Sequence, residues 1–300
     1  MRSTGVPSSL LLLALVFAIT CQSGAARAEL AAPNAAGVAM SHVHFYVQDI
    51  EASKRFWVAL GGIAVGNDSV VVISFPDALV LVNQRESARD SEDSVVDHFA
   101  FRVQSLATIE ARGIEVELNE QYPGVASVYT PEGVRIELFD DELATNLGFT
   151  VDSGTADAVT ERHNRKIDVP IIAHHIHLYV PEGEVEAARD WYARHFGGVK
   201  GQRWRYPAVD LPGINLNFSE TSAPRAPTLG QRLDHIGFEV ENLEAFCKKL
   251  EADGVVFDLP YRRQPAGSSG FSVAFVTDPW GTTIELTEGL RARAARIGVR

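Results

Sequence analysis

The chain is poor in cysteine and in clustered positive charge, and beyond its first residues it has no long apolar run. Only two of its 300 residues are cysteine, Cys21 and Cys247. Residues 1–28 read as a targeting segment, with Arg2 as a positive start, an apolar run from Leu10 to Ile19 and a small-x-small cleavage site at Ala26-Arg27-Ala28. Thr20-Cys21 also sits where an acylated cysteine would stand, although Thr is a poor residue before one. Cleavage after Ala28 removes Cys21, so an intrachain disulfide is excluded even though a secreted or periplasmic location is expected. Cys247 shares a helical face with Leu243, Phe246 and Leu250, the pattern of a packed thiol and not of a nucleophile. The Leu10 to Ile19 run falls short of the ~20 residues that a bilayer requires, so no membrane span is expected. With 27 basic against 39 acidic residues the formal charge is −12, which argues against a nucleic-acid partner and favours a small-molecule ligand.

What the sequence has is a repeat. His42-Val-His-Phe-Tyr-Val47, His98-Phe-Ala-Phe-Arg-Val103, His175-Ile-His-Leu-Tyr-Val180 and His235-Ile-Gly-Phe-Glu-Val240 each open on a histidine and close on a valine. Such self-similarity points to repeated supersecondary units. Strand side chains alternate between faces, so Val43, Phe45 and Val47 and their counterparts form an apolar side. The histidines take the other. A helical pattern with apolar residues such as Phe56, Trp57 and Leu60 follows each strand. Asp49, Ser105 and Asn242 are N-cap candidates, and Gly61, Gly113, Gly197 and Gly254 close the helices. Short β-rich runs and the turns Thr130-Pro-Glu-Gly133 and Asp278-Pro-Trp-Gly281 complete each unit. The expected organisation is α+β, with four βαβββ modules paired consecutively: a first domain at 38–141, a linker at 142–172, a second domain at 173–290 and a basic tail at 291–300.

Two imidazoles and one carboxylate make a facial triad that can hold a divalent metal with positions left open. The second domain offers His175, His235 and Glu285, and the first offers His42, His98 and Glu137. Swapping modules between cups would instead group His42 with His235 and Glu285, and His98 with Glu137 and His175. His44, His177 and Tyr179 share the histidine face, and His177 is a candidate general base. Tyr261, beside Arg262 and Arg263, is a second catalytic candidate. Arg205, within Arg203-Trp-Arg-Tyr206, suits a carboxylate-bearing or aromatic ligand. Tyr179, Glu239 and Asn217 complete the substrate-binding candidates. His174 falls on the helix-facing side, where a structural role is expected.

The strand histidines and the paired Pro-x-Gly-x-x-x-Glu segments, Pro131 to Glu137 and Pro279 to Glu285, resemble the vicinal oxygen chelate superfamily, which includes glyoxalase I, extradiol dioxygenases and the fosfomycin- and bleomycin-resistance proteins. The likeness covers Ser41 to Asp140 and Ala173 to Gly289. It implies paired βαβββ modules wrapping ligand cups and a divalent metal (Fe, Mn, Zn, Ni or Co) that chelates neighbouring substrate oxygens in lyase, isomerase or dioxygenase chemistry. It also leaves room for a homodimer. Two places depart from the family's enzymes. The further glutamate of glyoxalase I falls near Val82 and Asn217, and the His and Tyr of extradiol enzymes fall at Ala266 to Ser268 and Phe275. A non-catalytic, metal-free or metal-assisted protein that sequesters a small molecule in the manner of the bleomycin-resistance proteins is the alternative.

Overall fold

The computed structural model describes residues 29–65, 71–85, 89–91, 93–154, 156–263 and 271–292. The targeting segment, Ala266 to Ser268 and all but the first two residues of the basic tail lie outside them. The first module runs β1 (Val38–Val47), α1 (Ile50–Leu60), β2 (Ile63–Val65), β3 (Val71–Phe75) and β4 (Ala78–Gln84). The second runs β5 (Val96–Val103), α2 (Leu106–Ala111), β6 (Glu117–Leu118), β7 (Val125–Tyr129) and β8 (Arg135–Asp140). The segment read as a linker is itself structured, holding β9 (Phe149–Val151), which adds an edge to the strand Val199–Arg203, and α3 (Asp157–Asn164). That third module is β10 (Ile171–Pro181), α4 (Val185–Phe196), β11 (Val199–Arg203), β12 (Tyr206–Leu211) and β13 (Ile214–Thr221). The fourth is β14 (Leu233–Val240), α5 (Leu243–Ala252), β15 (Phe257–Arg263), β16 (Ser272–Thr277) and β17 (Thr283–Glu288).

The fold is α+β with four βαβββ modules in two mixed sheets, as expected, but consecutive modules do not pair. One sheet has eight strands in the order β15-β16-β17-β14-β1-β4-β3-β2, joining the first module to the fourth. The other has nine, β6-β7-β8-β5-β10-β13-β12-β11-β9, joining the second to the third. At the centres β1 runs antiparallel to β14, and β5 antiparallel to β10. The chain crosses from one sheet to the other after β4 and crosses back after β13. The two crossing loops hold each other: Arg89 N–H donates to Gly230 O at 3.0 Å, and Val95 N–H to Ala226 O at 2.9 Å. These mutual bonds satisfy backbone groups that a lone crossing would leave to solvent.

Alternation builds the core as the sequence indicates. Val43, Phe45 and Val47 and their three sets of counterparts enter one apolar cluster that draws on both sheets. Trp57 of α1 ties them together, its ring 5.2 Å from Phe45 and 6.2 Å from Phe75 in one sheet and 6.4 Å from Phe101 in the other. Phe196 of α4 reaches across likewise, 5.1 Å from Phe238. Cys247 is buried in this cluster, and burial pushes its thiol up to about 11, as a packed thiol requires.

The caps hold in part. Asp49 accepts Ala52 N–H at 2.9 Å, and Gly197 takes the left-handed conformation (φ 69°) that ends α4. Ser105 makes no capping bond with its side chain, and Asp140 Oδ2 accepts the Leu106 N–H at 3.0 Å. Asn242 likewise caps nothing with its side chain.

Candidate metal centre and its counterpart

Module exchange decides which histidines meet. In the first cup, β1 supplies His42 and His44, β14 supplies His235, and β17, parallel to β14, supplies Glu285. The register sets His44 opposite His235, His42 opposite Gly237, and Gly237 beside Glu285. In the second cup β10, β5 and β8 repeat this register. His177 stands opposite His98, His175 opposite Ala100, and Ala100 beside Glu137. The grouping His175–His235–Glu285, with His42–His98–Glu137 as second set, is therefore corrected. The structure brings together His42, His235 and Glu285 in one cup and His98, His175 and Glu137 in the other, as the swapped pairing requires.

In the first cup His42 Nε2 and His235 Nε2 lie 3.0 and 2.9 Å from the same oxygen, Glu285 Oε2. One ligand atom from each of the three residues lies within 4.8 Å of the others. Both outer nitrogens are engaged, His235 Nδ1 by Asp234 Oδ1 at 2.7 Å and His42 Nδ1 by Ser41 Oγ at 3.0 Å. Such partners fix ring orientation and, through the carboxylate, raise ligand basicity. Burial pushes the Glu285 carboxyl up, but hydrogen bonds from His235 and His42 overcome it and hold the group ionised well below the usual carboxylate range. Burial lowers His235 too, yet its bonds to Asp234 and Glu285 leave it raised. His42 stays lowered, with burial the main cause. Gly237 makes the cluster possible: a β-carbon there would lie 2.1 Å from His42 Cε1. Beside it, His44 Nε2 bonds Asn83 Oδ1 at 2.7 Å, and burial takes its pKa down to about 3, so the ring is neutral. His44 and Asp234 also form a ligand-capable group with His235.

The donor set of the first cup fits a divalent ion. The two imidazole nitrogens and one carboxylate already converge, and Asp234 and Ser41 would keep the Nε2 lone pairs turned inward.

The second cup has the same residue types in a different electrical setting. His98 Nε2 lies 3.1 Å from Glu137 Oε2 and 3.1 Å from His175 Nε2. His98, His175 and His177 again offer ligand atoms within 4.8 Å. Asp97 holds His98 Nδ1 at 2.6 Å as Asp234 holds His235. Here, however, Arg135 bonds Asp97 and stands 3.7 Å from Glu137, and Arg203 is buried nearby. Burial and Arg203 together push His175 well below its usual value. His174, buried at a bulge in β10, sets its Nδ1 3.0 Å from His175 Nδ1, a positioning role in keeping with the structural one expected.

The remaining candidates divide. His177 lines the second cup, its Nε2 2.8 Å from Ser219 Oγ, and burial pulls it down to about 3. Tyr179 lines the same cavity, and Arg205 stands exposed at its rim. Tyr261 is on β15 in the opposite sheet, near Ser272 Oγ at 3.4 Å, so it cannot share a site with His175 or His177. Glu239 is corrected as a substrate ligand, since its oxygens accept from Thr287 Oγ1 at 2.7 Å and from the amides of Gly289 and Arg291 at 2.8 and 3.2 Å. Asn217 is fully buried and accepts from Arg203 Nε at 3.3 Å, so it supports that arginine.

Sequence reasoning passed over Ser41, Asp97 and Asp234, the polar residues that precede three of the strand histidines. Strict alternation sends them to the other face, whereas register shifts next to His42 and His175, and between His44 and Phe45, bend the central strands. The polar-His dipeptides were the available signal. It also passed over His163, whose Nε2 lies 2.6 Å from Asp210 Oδ1.

Residues 172–286 match the sequence model of the Glyoxalase/Bleomycin resistance protein/Dioxygenase superfamily, and the match spans two modules that fold into different sheets. Residues 172–286 therefore carry this superfamily's sequence pattern. No curated protein sequence matches it. Among solved structures of the vicinal oxygen chelate fold, glyoxalase I from Zea mays is 14% identical, covers 88% of this chain and 97% of its own, and superposes with a TM-score of 0.62. A putative dioxygenase from Bacillus subtilis subsp. subtilis str. 168 is 13% identical, with 91% of both chains covered and a TM-score of 0.59. At such identities the likeness concerns the fold alone. Among the described residues no helix is long and apolar enough to cross a membrane.

Proposed function

We propose that this chain is a member of that superfamily, an exported, metal-dependent enzyme of the lyase, isomerase or dioxygenase type, with its metal held by His42, His235 and Glu285. The convergence of two Nε2 atoms on one Glu285 oxygen, at 3.0 and 2.9 Å, carries the reading. A divalent ion there would supply a Lewis acid with open positions for two neighbouring oxygens of a small substrate. The chain's own part is preparation. Asp234 and Ser41 orient the imidazoles, and Gly237 leaves room for the His42 ring. The neutral His44, 4.5 Å from His235 between ring centres, places an imidazole beside the ligands without adding charge.

Elemental analysis of the purified mature chain tests this. About one tightly held transition metal per chain is expected, lost in His235→Ala and in Glu285→Gln. A metal-free protein that still retains a small molecule would favour sequestration. N-terminal sequencing of the exported chain should begin at Glu29, and an uncleaved Met1 would remove the export part of the proposal.

A further inference from the structure

The second cup contains a cation that nothing in the metal reading uses. Arg203 is 1% exposed, and although burial pulls its pKa down to about 10 it stays protonated at neutral pH. Among the described residues it has no ion pair. Nε donates to Asn217 Oδ1 at 3.3 Å and Nη1 to the Asn146 carbonyl at 3.2 Å, both neutral acceptors. Glu137, the carboxylate whose charge reaches it, is already bonded by His98 and faced by Arg135. A buried guanidinium with no carboxylate bonded to it is costly, and such a group lining a cavity is paired when an anion enters.

The cavity beside it measures about 180 Å³ and is lined by Arg203, Tyr122, Trp204, Arg205, Tyr206 and His177 among others. This is below the ~300 Å³ at which drug-sized pockets begin, so the ligand is small. Its mouth is ordered. Trp204 holds a left-handed backbone (φ 54°), unusual for a bulky residue, and turns β11 into β12. Arg205 lies 4.2 Å over the Trp204 ring and donates to Tyr122 Oη at 2.8 Å and Tyr206 Oη at 3.1 Å. A flat body would therefore meet aromatic walls with one guanidinium at the base and another at the rim. The planar fork of arginine matches a carboxylate.

We propose that the second cup is a metal-independent receptor for a small aromatic monocarboxylate, with Arg203 as its anion contact. A dication is disfavoured there, because Arg135, 3.7 Å from Glu137, and the buried Arg203 both act on the carboxylate it would need. The first cup has Thr283 at the place of Arg135, and the groups that most lower Glu285 are its two imidazoles.

Benzoate and its neutral isostere benzamide, titrated calorimetrically into the full mature chain before and after EDTA treatment, test the proposal. Benzoate should bind about tenfold more tightly than benzamide or better, unchanged by EDTA. Arg203→Gln should abolish the preference, and Arg203→Lys should restore part of it. Because a buried substitution can unfold the chain, the half-exposed Trp204 gives a second readout: benzoate should quench fluorescence in the wild type and not in Trp204→Phe. Glu285→Gln should lose metal and keep benzoate binding, which separates this site from the first cup. Equal affinity for benzamide, a quench that survives in Trp204→Phe, benzoate binding lost in Glu285→Gln, or no binding by about 10 mM would each overturn it.

Discussion

The two cups share a backbone plan and differ in what surrounds the donors. Each central pair of strands sets two histidines on one strand against one on the other, with a glutamate on the next strand in matched register. In the first cup the strand beside β1 carries Leu79 and Leu81 next to His42 and His44, and Leu30 and Leu290 pack on them. In the second, the corresponding neighbours of His175 and His177 are Asn215 and Asn217. Gly237 is replaced by Ala100, and Thr283 by Arg135. An ionised Glu285 bonded by two imidazoles favours a cation site. Asparagines and guanidiniums favour an anion. Identical ligand types thus do not make identical sites, because local charge and the room left for each ring decide what binds.

The largest effect should come from deleting a ligand in each cup. Glu285→Gln should take bound metal from about one per chain to near zero, whereas Glu137→Gln should leave it unchanged. Elemental analysis of both variants breaks the comparison if they behave alike.

Gly237→Ala should follow. The added carbon must displace the His42 ring, so metal affinity should fall roughly 10- to 100-fold, with a stability loss of about 1–3 kcal/mol. Ala100→Gly, the reverse change in the second cup, should cost only about 0.5–1 kcal/mol and leave metal content intact. Metal titration and urea denaturation read both.

Acid provides a third comparison, in metal-free protein. The folded pKa of Glu285 is depressed, so its contribution is present above the unfolded value of about 4.3 and is lost as pH falls toward the folded one. The stability gap between wild type and Glu285→Gln, about 1–3 kcal/mol near neutrality for charge-assisted bonds, should narrow below pH ~4.3. Glu137 is lowered as well, through His98 against burial, and should show the same sign. Urea curves at several pH values check this, and a gap that widens on acidification contradicts it.

The smallest contrast is between caps. Asp49→Ala should cost about 1 kcal/mol, because Ala52 N–H loses its acceptor, while Ser105→Ala should fall within about 0.5 kcal/mol of wild type. Thermal melts distinguish them.

Much of this was readable from residues. The four histidine-to-valine strands, their apolar faces and the helices after them follow from periodicity, since period 2 and period 3.6 burial are local properties. Glu137 and Glu285 follow from their turns. Glu239 misled because it shares a face with His235 in the alternation pattern, yet it spends its oxygens on the turn after β17. The segment 142–172 misled because its apolar residues are few. Phe149 and His163 nonetheless find partners in Gly201 and Asp210, which lie far along the chain.

The sequence by itself determined the module, the polar-His dipeptides and the kinds of atom each cup would present. Only the tertiary structure decided that the first module joins the fourth and the second joins the third, and hence which histidine faces which glutamate. All four modules carry the same apolar alternation, so that alternation does not distinguish one pairing from another. The observed pairing is accompanied by crossing loops that bond to each other and by Trp57 touching both sheets, contacts that are not encoded within a single repeat.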